Sequence, residues 1–157
     1  MENNPIFKHI HHICIVVHDM DKTIKFYESI GIGPWHDHPI SDAFRQDISV
    51  KFVDDFMLNK YAYANLENIQ IQLCQPSSEN TEQGRFLKEK GEGVFHLGFT
   101  VDDIKATEEK AHGLGLMNLI RGRSSANAGF TYFDTQNHAG VVLQIRAVSP
   151  SGDLPQR

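Results

Sequence analysis

The chain has 157 residues, of which 40% are hydrophobic and 22% charged, and its formal net charge is −5 at pH 7. This is about the length of one domain with a core that needs no disulfides, so Cys14 and Cys74 are expected to be reduced and buried, as in a cytosolic protein. The negative charge, with no stripe of lysine or arginine, argues against nucleic acid or an anionic membrane as the main partner and leaves a small ligand or another protein.

The hydrophobic pattern predicts strands that alternate with short helices. In chain order these are a strand over 11–17, a helix over 20–29, strands over 58–66 and 68–75, a helix over 82–90, a strand over 95–101, a helix over 103–112, and strands over 117–123, 129–134 and 140–147. The exposed face of the helix over 103–112 is expected to carry Lys105, Glu108, Glu109 and Lys110. No stretch is long and apolar enough to span a membrane and no apolar leader is visible, so we expect a soluble, cytoplasmic protein.

The first strand and helix occur twice. His12–Ile32 and His96–Leu116 align without a gap at a spacing of 84 residues, and they share His12/His96, Val17/Val101, Asp19/Asp103, Thr23/Thr107 and Gly31/Gly115. A period this long indicates two half-domain modules rather than a solenoid. We therefore expect one domain over 1–157 with βαβββ modules over 8–76 and 92–147, which form an α+β fold with a curved mixed sheet around a central cleft.

Four strands combine an apolar face with an opposite face that carries one central polar residue. These polar residues are His12 and Gln72 in the first module and His96 and Gln144 in the second. The separations within the modules are 60 and 48 residues, so the first module has about 12 extra residues, which we place within 35–53. Buried imidazoles and amides without partners cost about a few kcal/mol each, so the four residues are expected to line the cleft rather than pack under helices.

The chain resembles the vicinal oxygen chelate superfamily, which includes glyoxalase I, methylmalonyl-CoA epimerase, extradiol dioxygenases and bleomycin-resistance proteins. The resemblance lies in four motifs in order, HHICIVVHDMDKTIKFYESIGIGPW, NIQIQLCQP, GEGVFHLGFTVDDI and YFDTQNHAGVVLQI. It covers about residues 8–147 and is closest to the branch of methylmalonyl-CoA epimerase and glyoxalase-like proteins. It implies a homodimer, and it implies one divalent metal ion, Zn, Ni, Co, Mn or Fe, held by His12, Gln72, His96 and Gln144.

The resemblance implies an isomerase or lyase that moves a proton next to a carbonyl of a small-molecule substrate, such as an acyl-CoA or a glutathione adduct. The chain departs from the family at Gln144, which replaces a glutamate ligand and is no base near neutral pH. Extradiol dioxygenase chemistry, which uses that glutamate, is therefore disfavoured. By its place before the strand KYAYANL, Asp55 is nominated as the base ahead of Asp54. The alternative function is a non-catalytic protein that sequesters a small molecule, as bleomycin-resistance proteins do.

Other residues are candidates for substrate binding. Trp35, Phe130 and Tyr132 are expected either in the wall of the ligand cavity or in the core. Arg121 and Arg123 either hold a carboxylate or phosphate of the substrate or are solvated.

Residues next to His12 have less to do with the expected chemistry. Cys14 lies on the same face as His12, but a buried strand cysteine is expected to be an inert thiol rather than a nucleophile. His9 and His11 are interpreted as a surface cluster, and strand alternation places His11 on the helix-packed side.

Overall fold

One curved, mixed β-sheet organises residues 5–148, the part of the chain that this computed structural model describes. Within that range the elements in chain order are β1 (His9–Val16), α1 (Met20–Ser29), β2 (His36–Asp37), a 3₁₀ turn (Asp42–Gln46), β3 (Ile48–Ser49), α2 (Val53–Met57), β4 (Lys60–Asn65), β5 (Gln70–Gln75), α3 (Glu82–Lys90), β6 (Gly93–Thr100), α4 (Ile104–Gly113), β7 (Asn118–Ser125), β8 (Ala128–Phe133), α5 (Gln136–Ala139) and β9 (Val142–Ala147). Residues 1–4 and 149–157, which the prediction of one domain includes, lie outside the described residues. Within 5–148, no helix has both the length and the apolarity that a membrane crossing requires.

The strand order shows how the two halves of the chain are related. It runs β2-β4-β5-β1-β6-β9-β8-β7-β3, so β1 and β6 lie antiparallel at the centre. Each central strand has a parallel neighbour, β5 or β9, and then an antiparallel one, β4 or β8. The two halves therefore repeat the same order outward from the centre, and the predicted α+β fold with a curved mixed sheet is confirmed.

The repeated helices α1 and α4 begin and end in the same way. The side chain of Asp19 accepts a hydrogen bond of 3.1 Å from the backbone N–H three residues later, and Asp103 accepts the equivalent bond at 2.9 Å, as N-cap residues do. Gly31 and Gly115 follow the helices with φ of +90°, a conformation that favours glycine. The aspartates and glycines shared by the two copies thus have the same structural roles.

The two faces of the sheet have different coverings. On one face, α1 packs through a cluster of Val17, Met20, Ala62 and Leu73. On the same face, α4 packs through a cluster of Ile104, Ala111, Phe133, Ile145 and Ala147. Burial of a large aliphatic side chain stabilises the fold by about 1.5–3 kcal/mol. The other face is covered by a cluster rich in aromatic residues, which include Phe44, Phe56, Tyr61, Phe95, Phe130 and Tyr132.

The extra residues of the first half reach across to the second half. Residues 38–57, here named the bridging segment, contain the 3₁₀ turn, β3 and α2. The short strand β3 pairs antiparallel with β7, and the carbonyl of Asp47 accepts a hydrogen bond of 2.8 Å from the backbone N–H of Arg123. The ring of Phe44 packs on that of Phe130, with centroids 4.9 Å apart. The bridging segment therefore covers the aromatic interior and joins the two halves.

The prediction that Glu108 lies on the exposed face of α4 is wrong. Its carboxylate accepts hydrogen bonds from the hydroxyl of Thr131 and, at 2.8 Å, from the buried guanidinium of Arg123. The same guanidinium donates to the carbonyl of Phe130 at 2.7 Å. Helical spacing groups Glu108 with polar neighbours, but the sheet beneath α4 supplies a buried cation that the spacing does not reveal.

Candidate functional site

Two imidazoles meet at the centre of the sheet. His12 and His96 lie on the adjacent central strands β1 and β6, and their Nε2 atoms are 2.8 Å apart with the ring planes at 86°. Both side chains are buried. The antiparallel pairing of the two repeated strands therefore brings the two repeated histidines into direct contact.

The two glutamines have the same register relative to these histidines. Along the parallel pairs, Gln72 faces Cys14 and Gln144 faces Gly98, in each case two residues after the histidine of the partner strand. Gln72 uses its Nε2 to donate a hydrogen bond of 2.7 Å to Oε1 of Gln70. The Oε1 of Gln144 is buried and has no hydrogen-bond partner among the described residues. A buried acceptor of this kind needs a cation or a donor from a ligand to offset its loss of water.

A cavity of about 50 Å³ lies beside His12 and both glutamines. This volume accommodates a few water molecules or a head group of similar size. The polar residues that line it are His12, His38, Ser41, Tyr61, Gln72, Tyr132, Gln144 and Arg146, and the apolar ones are Pro39, Ile40, Phe44, Phe56 and Phe130. Within residues 5–148 no aspartate or glutamate contributes to this lining. The bridging segment supplies much of the wall.

Burial keeps the imidazoles of the site neutral. It lowers the pKa of His96 to about 3 and also lowers that of His12. The pKa of His38 is lowered to about 4, first by burial and second by the positive charge of Arg146. Desolvation disfavours the charged imidazolium, so all three rings are unprotonated at pH 7 and present lone pairs.

Burial also keeps the phenols and thiols of the interior protonated. It raises the pKa of Tyr61 and of Tyr132 above the usual range and does the same for the thiol of Cys14. The pKa of Cys74 is raised to about 12. Both cysteines are buried and unbridged, as predicted, and neither forms a thiolate that acts as a nucleophile near neutral pH.

His11 does not lie where alternation predicts. The pairing of β1 with β6 shifts register between Ile10 and His12, and this irregularity brings the ring of His11 against that of His12. The two Nδ1 atoms are 2.8 Å apart, and His11 is buried. Its predicted place in a surface cluster on the helix-packed side is therefore wrong, because alternation fails through a bulge.

The two aspartates nominated as the base lie on α2, outside the lining of the cavity. Asp55 accepts hydrogen bonds from Ser78 at 2.7 Å and from Asn80 at 2.9 Å. Asp54 is exposed and pairs with Arg45 at 2.8 Å. The structure does not bring either carboxylate to the histidine pair.

The four residues expected to bind substrate divide evenly. Phe130 and Tyr132, on β8, line the cavity. Trp35 instead packs with the α1 cluster on the helix side of the sheet. Arg121 lies outside the cavity lining and pairs with Asp47 at 2.8 Å. Two of the four therefore contribute to the wall of the site.

The sequence does not identify two residues of the cavity, His38 and Arg146. Arg146 follows Gln144 by two residues on β9, so strand alternation is the signal that points to it. His38 lies in the bridging segment, outside any predicted element, and its backbone N–H donates to the carbonyl of Tyr61 at 2.9 Å. No sequence pattern indicates that bond.

The four donors fit a divalent metal ion. Two nitrogens bound to one ion at about 2.1 Å and at a right angle are about 3.0 Å apart, close to the 2.8 Å between the Nε2 atoms of His12 and His96. The unpartnered Oε1 of Gln144 is an oxygen donor, and the amide of Gln72 lines the same cavity. Neutral imidazoles bind a metal without first losing a proton. Nitrogen and oxygen donors of this kind suit Zn, Ni, Co, Mn or Fe.

A curved sheet of two related halves with donors at its centre is a glyoxalase-like fold. Residues 11–133 match the family described as the Glyoxalase/Bleomycin resistance protein/Dioxygenase superfamily, and the chain belongs to that superfamily. No curated protein matches the chain in sequence.

Solved structures with this fold include methylmalonyl-CoA epimerases. The chain is similar to the enzyme from Mycobacterium tuberculosis, with a TM-score of 0.72 and 22% identity over 96% of this chain and 95% of that one. A methylmalonyl-CoA epimerase in complex with methylmalonyl-CoA and NH4+ gives a TM-score of 0.70 and 23% identity over 92% and 96% of the two chains. A variant of the Streptomyces coelicolor enzyme with 2-nitronate-propionyl-CoA gives 0.71 and 22% over 92% and 96%.

Proposed function

We propose that this chain is an isomerase or lyase that uses one divalent metal ion to move a proton next to a carbonyl. The observation that carries the proposal is the convergence of donors at the cavity. The Nε2 atoms of His12 and His96 meet at 2.8 Å, and the buried Oε1 of Gln144 has no partner among the described residues. A cation at this point satisfies all three atoms.

The chain's own residues hold the ion and shape its surroundings. His12, Gln72, His96 and Gln144 are the ligands in this proposal. When bound, a divalent ion supplies Lewis-acid polarisation of a substrate carbonyl and stabilises the charge that develops as the adjacent proton leaves. Because all four donors are uncharged, they leave the full charge of the ion available, and they hold it less tightly than a site with a carboxylate.

His38 is the proton acceptor in this proposal. Among the titratable residues that line the cavity within the described range, Tyr61 and Tyr132 remain protonated and Arg146 remains charged. The imidazole of His38, with a pKa of about 4, is unprotonated at pH 7 and is able to accept a proton and return it. The carboxylate of Asp55, which the sequence nominates, is instead bound to side chains outside the cavity.

Metal content tests the first part of the proposal. The chain is purified without an affinity tag or added metal, and metal is measured by mass spectrometry before and after treatment with a chelator. We expect about one ion per chain, and a lower melting temperature once it is removed. His96→Gln is expected to lose the ion. His112→Gln, at an exposed histidine bonded to Asn118, is the matched control and is expected to retain it. Metal-free protein that does not respond to chelator would sink the enzyme function.

Solvent deuterium exchange tests the second part. Because solved structures of the same fold contain acyl-CoA compounds, methylmalonyl-CoA is the first substrate to try and a glutathione hemithioacetal is the second. We expect the metal-loaded wild type to exchange the proton next to the carbonyl. His38→Gln is expected to slow this exchange by about 10²-fold or more. Metal binding by His38→Gln at wild-type affinity separates loss of the base from loss of the ion.

A second function, sequestration of a small molecule without catalysis, is favoured by one observation. The cavity lining described here contains an amide at Gln144 and no carboxylate, so it lacks the residues that bind metal tightly and that act as the usual base. Equilibrium binding of an acyl-CoA by chelator-treated protein, with no exchange after metal is restored, supports this function over the first.

A further inference from the structure

One cation is built into the wall of the cavity. Arg146 lies on β9, is only 5% exposed, and lines the same cavity as His12, His38 and Gln144. Among the described residues of that lining, it alone is charged at neutral pH, because the imidazoles are neutral and no carboxylate is present. A buried guanidinium is expensive to desolvate, so its presence at a ligand cavity calls for a physical account.

The field of this guanidinium reaches the rest of the cavity. The positive charge of Arg146 is the second cause, after burial, that lowers the pKa of His38, and it also contributes to the lowered pKa of His12. A cavity of about 50 Å³ with one positive charge and neutral walls favours a small anionic group over a neutral one.

The charge belongs to one half of the duplicated sheet. In the parallel pairs, Arg146 faces Thr100 of β6, four residues after His96, and Cys74 faces Val16 of β1, four residues after His12. Arg146 and Cys74 therefore occupy equivalent positions. The buried thiol of Cys74 is protonated and uncharged, so the duplication supplies a cation on the second-half side alone.

We propose that Arg146 binds a carboxylate of the ligand, so that the cavity takes small carboxylic acids or the carboxylate end of a larger acyl compound. A planar guanidinium pairs with a carboxylate through two parallel hydrogen bonds, a geometry that a spherical anion does not match. The other polar groups of the cavity then face the remainder of the ligand. This inference deepens the proposed function, and it rests on it only for the reacting carbonyl.

Arg121 and Arg123, the arginines expected from the sequence to meet an acidic substrate, do not compete for this role. Arg121 pairs with Asp47, and Arg123 pairs with Glu108, both at 2.8 Å. Neither lines the cavity. The structure therefore assigns the recognition of a carboxylate to a different arginine.

The test compares malonate with malonamide, its neutral analogue, by isothermal titration calorimetry on protein that has been stripped of metal and freed of chelator. We expect malonate to bind the wild type and malonamide to bind at least about tenfold more weakly. Arg146→Gln is expected to weaken malonate by about tenfold or more and to leave malonamide unchanged. Arg45→Gln, at an exposed arginine, is the control and is expected to bind malonate like the wild type. Equal binding of malonate by Arg146→Gln and the wild type overturns the inference.

Two further measurements keep the test decisive. If Arg146→Gln does not fold, as judged by circular dichroism, Arg146→Lys takes its place and is expected to bind malonate between the wild-type level and none. Equal affinity of the wild type for malonate and malonamide overturns the inference without any variant. Metal content is measured separately on the same preparations. Absence of metal from all of them overturns the proposed function, while the dependence of malonate binding on Arg146 still supports the carboxylate site.

Discussion

The imidazole ring of His12 occupies the space in which a β-carbon on residue 98 would lie, and residue 98 is a glycine. A side chain at Gly98 would overlap three atoms of that ring. The position of one metal-ligand candidate thus depends on the absence of a side chain on the neighbouring strand.

Gly98→Ala is therefore expected to displace His12. Overpacking at a buried site destabilises by about 1–3 kcal/mol, and a displaced ligand lowers metal affinity by about tenfold or more. Urea denaturation and metal titration measure the two effects. Gly93→Ala is the control on the same strand, because a β-carbon there meets nothing within 4 Å. Equal losses in both variants would show that the ring of His12 is not the cause.

Gln144→Glu is expected to bind a divalent ion at least about tenfold more tightly, because a carboxylate adds negative charge to a neutral donor set. Without metal, the same substitution is expected to be destabilising, since it buries a charge near His12 and His96 in a site that burial keeps neutral. Gln144→Met removes the oxygen at similar volume and is expected to weaken metal binding. Competition with a chromophoric chelator gives the affinities. A glutamate variant that binds no better than the wild type contradicts the placement of Gln144 among the ligands.

Stability is expected to fall in acid because of His38. Its folded-state pKa of about 4 lies below the value of about 6.5 in an unfolded chain. Between these values the unfolded state binds a proton that the folded state does not, so the free energy of unfolding decreases as the pH falls from about 6.5 to about 4, by at most about 1.4 kcal/mol per pH unit. The stabilisation is complete above the upper limit of this window. In metal-free protein, His38→Gln is expected to have a shallower decrease than the wild type when urea denaturation is measured from pH 7 to pH 4.5. Parallel curves would contradict the lowered pKa.

Glu108→Ala is expected to destabilise the fold by about 3–5 kcal/mol, because it leaves the guanidinium of Arg123 buried with a missing charge partner. Asp54→Ala removes the partner of an exposed pair with Arg45 and is expected to change the free energy of unfolding by no more than about 1 kcal/mol. Chemical denaturation of both variants measures the contrast. If the two losses are similar, the buried network does not carry the stability assigned to it.

The sequence is informative about residues on regular strands of the repeat. His12, Gln72, His96 and Gln144 are predicted to share a cleft because alternation fixes the face of each strand and duplication fixes the equivalence of the halves. The structure places them at one cavity and a central contact. Their role as metal ligands remains a prediction.

The sequence is less informative where tertiary contacts replace regular pattern. His11 escapes alternation because β1 shifts register against β6. The approach of His38 to the cavity depends on how the bridging segment crosses to the other half, which no periodicity encodes. Asp55 follows the order of the family's motifs, but the turn of α2 directs it to Ser78 and Asn80. Long-range placement of loops is set by packing rather than by local preference.

The equivalence of Arg146 and Cys74 has a stereochemical consequence. Donors arranged by a duplication present nearly the same surroundings to either end of a ligand, so they offer two opposite orientations of similar energy. A single charge on one half removes that degeneracy and gives the cavity a head and a tail. Because donors, base and cation are then three unlike points of attachment, the site is able to distinguish a substrate from its mirror image.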